Sequence, residues 1–124
     1  MTSETTQLIL NIDAGPKADY TELEQLTIQL NKELLELEVK SVDFVTKKAP
    51  EHTKAVEYVV LGKLIIAISS SRVLVEIIKL LRDIVKRYDG ATVNVKIDSD
   101  EVTVEGKPSK EQMEIIDHFI MRHT

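Results

Sequence analysis

The chain of 124 residues has no cysteine and no tryptophan, and aromatic residues make up only 4% of it. Without cysteine there is no disulfide, thiolate zinc site, iron–sulfur cluster or cysteine nucleophile. The four glycines stand alone at positions 15, 62, 90 and 106, so there is no glycine-rich phosphate loop. Positive charge is also short: 16 Lys+Arg against 21 Asp+Glu leave a net charge of −5. That balance argues against a nucleic-acid partner, because phosphate binding needs clustered Lys and Arg. The basic patch Lys47, Lys48 and Lys54 is small and lacks accompanying aromatics.

No signal peptide is read either. Residues 1–6 form a short polar tail with no basic start followed by an apolar stretch, and a cytoplasmic location is expected. The most apolar run, residues 58–68, has eleven residues and carries Lys63 within it. It is far shorter than the roughly 20 residues that cross a bilayer. The net acidity disfavours a membrane-surface role as well.

What is present is aliphatic. Hydrophobic residues reach 43% beside 30% charged ones, the balance of a folded domain, and residues 1–124 are read as one domain. Leu8, Leu10 and Ile12 alternate with polar neighbours before Gly15-Pro16, which predicts a strand and a turn. Leu23, Leu26, Leu30, Leu34 and Leu37 then recur at helical spacing over 20–37, with Asp19 or Thr21 as the cap. Residues 39–45 predict a strand with Val42 and Phe44 on one face.

Over 53–68 the β-branched content would allow a strand, but the length favours a helix, buried nearly all round. Ser69-Ser70-Ser71 breaks it and caps a further amphipathic helix over 73–88. Val93, Val95 and Ile97, then Val102 and Val104, alternate across Asp98-Ser99-Asp100 and predict a hairpin. Ser109 and Gln112 form a capping box for a last helix with Met113, Ile116, Phe119 and Ile120 as its buried stripe. The expected fold is α+β, a small four-stranded sheet covered by helices in the order β-α-β-α-α-β-β-α.

The residues offer little for catalysis. His52, His118 and His123 have no second ligand at metal-binding spacing, so no metal and no cofactor are expected. Glu33, Glu36 and Glu38 near Asp43 read as a solvated helix face rather than an acid–base pair. Ser69, Ser70, Ser71 and Arg72 could hold an anion at a helix start, although serine caps helices without any ligand. Tyr58, Leu61, Lys63 and Leu64 are candidates for partner binding, since a small domain leaves part of such a run exposed.

The chain resembles the effector-associated constant component family, type 1, of bacterial conflict systems. The matching residues run from Leu26-Thr27-Ile28-Gln29-Leu30-Asn31-Lys32-Glu33-Leu34 through Ala55-Val56-Glu57-Tyr58-Val59-Val60 to Ile66-Ala67-Ile68-Ser69-Ser70-Ser71. They continue through Leu80-Leu81-Arg82-Asp83-Ile84-Val85-Lys86-Arg87 to the two alternating segments and the final helix. Two places depart from the family, which favours glycine and alanine where this chain has Pro50-Glu51-His52-Thr53, and glycine where it has Ser69 to Arg72. The resemblance implies a non-enzymatic adaptor or regulatory component that binds a caspase-like or trypsin-like peptidase effector in a defence or programmed-death system. Self-association is expected alongside. The alternative expectation is a small-ligand sensor that holds an anion or nucleotide at Ser69, Ser70, Ser71 and Arg72.

Overall fold

Leu8, Leu10 and Ile12 do form a strand, and it becomes the centre of the molecule. In this computed structural model, which describes residues 5–48, 57–88 and 90–124, the elements are β1 (Thr6–Asp13), α1 (Tyr20–Leu35), β2 (Ser41–Lys48), β3 (Glu57–Ile68), α2 (Ser71–Lys86), β4 (Thr92–Ile97), β5 (Asp100–Glu105) and α3 (Lys110–Arg122). The sheet has five strands in the order β2-β3-β1-β4-β5, every neighbouring pair antiparallel. Its first four strands with α1 and α2 make two interleaved split β-α-β units. The hairpin β4–β5 and α3 extend one edge.

The expectation of a helix over 53–68, and with it a four-stranded sheet, is corrected by β3. From Gly62 to Ile68, burial alternates with a period of two: Gly62, Leu64, Ile66 and Ile68 are buried, while Lys63, Ile65 and Ala67 are half-buried. Both faces look apolar in sequence because β3 lies between β1 and β2, where even the open face is half-covered. An interior strand of this kind has the hydrophobic profile of a buried helix, and length misleads when a strand reaches 12 residues. Residues 53–56 of that reading lie outside the described residues, as does His52.

Gly62 explains the unusual length. Its φ is +78°, and a Cβ there would lie 2.8 Å from the Ile12 carbonyl oxygen, which a side chain could not tolerate. The ladder with β2 slips at this point: Phe44 opposes Leu64, but Thr46 opposes Val59. The extra residues on β3 absorb a bend. The buried Thr27 hydroxyl of α1 accepts a hydrogen bond from the Gly62 amide at 3.2 Å while donating to the Leu23 carbonyl at 2.7 Å. A side chain from the helix thus takes up a backbone donor at the bend.

The helices cover one face. Leu26, Leu30 and Leu34 of α1 lie over the β2–β3 half, and α2 covers the β4–β5 half. Together with Leu8, Leu10, Leu64, Ile66, Val93, Val95, Val102 and Val104 they build one continuous core. Each helix starts on a side-chain cap: Asp19 Oδ1 accepts from the Glu22 amide at 2.9 Å, Ser70 Oγ from Arg72 at 3.3 Å, and Ser109 Oγ from Gln112 at 3.1 Å. Gln112 returns a bond to the Ser109 amide at 2.7 Å, completing the capping box.

Candidate interaction surface

Several charged and polar side chains are engaged in holding the fold. At one end of α3, Arg122 Nε and the second guanidinium nitrogen donate to the two oxygens of Asp100 at 2.8 and 3.0 Å. His123 Nε2 lies 2.8 Å from the same carboxylate, and its ring packs 4.7 Å from Phe119. The Arg122 hydrogen bonds, then that of His123, hold the Asp100 carboxyl down to about 2, against a smaller opposing effect of desolvation. At the other end, Gln112 donates to Glu105 at 3.0 Å. Because Glu105 closes β5 and Asp100 opens it, α3 runs antiparallel to that strand and is pinned at both ends.

In sequence His123 has no second ligand at metal-binding spacing and Asp100 stands in a turn. Arg122 and His123 lie more than twenty positions from Asp100, so only the fold brings them to it. Asp117 and His118 lie on α3 as exposed neighbours. Among the described residues, no group of three or more His, Asp or Glu could hold a metal ion.

The serine cluster is a helix cap. Ser70 supplies the capping oxygen, and Ser69 and Ser71 are exposed beside it. Arg72 pairs with Glu38 at 3.3 Å, with both side chains about three-quarters exposed, a geometry that contributes little to stability. Glu33 accepts from Gln29 and pairs at 3.5 Å with Arg87, the residue that caps the end of α2, which ties α1 to that end. The acidic residues near Asp43 therefore divide between two separate ion pairs and the solvent, and they do not converge.

The four partner-binding candidates separate as well. Leu64 is fully buried in the core, so it is not part of an exposed patch. Lys63 is half-buried on the opposite, open face of the sheet, opposite Asn11. Tyr58 and Leu61 belong to β3, but their side chains lie outside the described residues.

Exposed apolar surface is found elsewhere. Ile28 is 46% exposed and Leu35 56%, and they lie two turns apart on the same flank of α1. That flank lies roughly 150° round the helix from the buried stripe of Leu26, Leu30 and Leu34, so it points away from the sheet. Phe44 of β2, 36% exposed, lies on the helix-covered side because it opposes the buried Leu64. Val42, opposite Ile66, continues the same side and is half-buried. Val42 and Phe44 thus border the open edge of the sheet, while Ile28 and Leu35 form a separate exposed pair on the outer face of α1; Tyr20 and, on α3, Met113, Ile115 and Met121 are exposed as well. Sequence reading passed over Ile28 and Leu35 because it followed the buried stripe. Two aliphatic residues seven apart and off that stripe were the available signal.

An open groove of about 570 Å³ at the end of α2 is lined by Val85, Tyr88, Ala91, Thr92 and Glu105 among others, without a convergent acid–base pair. No helix among the described residues is long and apolar enough to cross a membrane. No known protein family, curated protein or solved structure matches the chain.

Proposed function

We propose that this chain is a non-enzymatic adaptor or regulatory component that acts by binding other proteins. Its partner is a peptidase-type effector, caspase-like or trypsin-like, in a bacterial defence or programmed-death system in the cytoplasm, and it also associates with itself. The observation that supports binding is the exposed apolar pair Ile28 and Leu35 on α1, together with Phe44 exposed at the open β2 edge. Exposed apolar residues favour protein contact over solvation. The engaged state of Asp100, Arg122 and His123 adds to this, since these groups serve the fold. The class of partner rests on the family resemblance.

The test is co-purification with the product of the neighbouring open reading frame, which this reading expects to be a caspase-like or trypsin-like peptidase, used in a catalytically inactive form. A complex that survives size exclusion, and that Ile28→Glu with Leu35→Glu abolishes, supports the reading. A folded chain that leaves the peptidase unbound at tens of micromolar overturns it.

A further inference from the structure

We propose that the free edge of β2 pairs with β2 of a second copy, antiparallel about a two-fold axis, to make one continuous ten-stranded sheet. This deepens the self-association in the reading above and rests on it. β2 hydrogen-bonds on one side only, to β3, so its outer backbone groups have no partner among the described residues. Such a row of unpaired donors and acceptors is a template for strand addition.

The charge pattern of β2 selects its own copy as the occupant. With Val45 on the axis, residues of the two strands oppose one another so that their numbers sum to 90. Asp43 then faces the register position of Lys47 in the other copy, and the relation is repeated by symmetry. Oppositely charged residues directly across an antiparallel pair favour that register, and like charges oppose it. The irregularity in the β2–β3 ladder lies on β3, where five positions span what two span on β2, so β2 itself stays continuous.

The helix-covered side of β2 is compatible with the same axis. A two-fold perpendicular to the sheet keeps both α1 helices on one side. Adjacent strands are about 4.8 Å apart, so the two helices flank a trough over the new β2–β2 pair. Val42 and the exposed Phe44 of both copies border that trough. Association about this axis closes by symmetry instead of growing into a fibre.

Light scattering across a concentration series tests this with charge reversals at positions 43 and 47. The wild type should approach twice the 14.0 kDa chain mass as concentration rises. Asp43→Lys alone and Lys47→Asp alone should each weaken association at least several-fold, because each places like charges opposite. Mixing the two variants should restore the dimer, since every 43–47 pair is then opposite in charge. A wild type that stays monomeric throughout overturns the inference. So does a dimer indifferent to both reversals, which locates self-association elsewhere. Neither result removes peptidase binding, which the co-purification reads separately.

Discussion

The two edges of the sheet are finished in different ways. Along β5, α3 lies antiparallel to the strand, fixed at its start by the Ser109–Gln112 capping box and the Gln112–Glu105 bond, and at its end by Arg122 and His123 on Asp100. Phe119 is fully buried beneath it. Along β2 there is no such helix among the described residues, and Ile28, Leu35 and Phe44 remain exposed. The β5 edge is covered by a helix, although Met113, Ile115 and Met121 of that helix stay exposed, whereas the β2 edge is left open among the described residues. A covered edge is closed to strand addition and an open one is available for it, which is the basis of the proposed β2 pairing.

Substitutions on the two sides should separate stability from binding. Phe119→Ala leaves a cavity under α3 and should lower unfolding stability by about 3–5 kcal/mol, read by urea denaturation. Gly62→Ala places a Cβ against the Ile12 carbonyl in a left-handed conformation, and should cost at least about 2 kcal/mol on the same titration. Ser109→Ala removes one cap of α3 and should cost about 1 kcal/mol. Leu35→Glu, on the outer face of α1, should stay within about 0.5 kcal/mol of the wild type while reducing peptidase binding.

Asp100 gives the β5 edge a pH signature. Its carboxyl is held at about 2, below its ordinary value near 4, so its contribution is complete above that ordinary value. It is lost as pH falls through the folded value. Thermal melts between pH 5 and pH 2, read at about half-unit steps, should show a steeper loss for the wild type than for Asp100→Asn. The group is partly exposed, so the difference is smaller than that from the cap.

Much of this fold was legible in local chemistry. The strand of Leu8, Leu10 and Ile12, the hairpin over Val93 to Val104, and the capping box at Ser109 all follow from period and cap residues close together in sequence. β3 was not legible, because an interior strand next to β1 and β2 is apolar on both faces and loses the alternation that identifies strands. The Asp100 cluster was hidden by sequence separation, and Ile28 and Leu35 lie off the helical period that marks the core. Gly62 is visible as one of four isolated glycines, but its meaning depends on the Ile12 carbonyl and the Thr27 hydroxyl, which only the fold supplies.

Amide hydrogen exchange at the two edges, followed as protein concentration is raised, tests the central assignment most directly. The account predicts that backbone amides of 41–45 gain protection with concentration while those of β5 and α3 stay constant. Protection that rises at β5 or α3, or that is independent of concentration along β2, would contradict it.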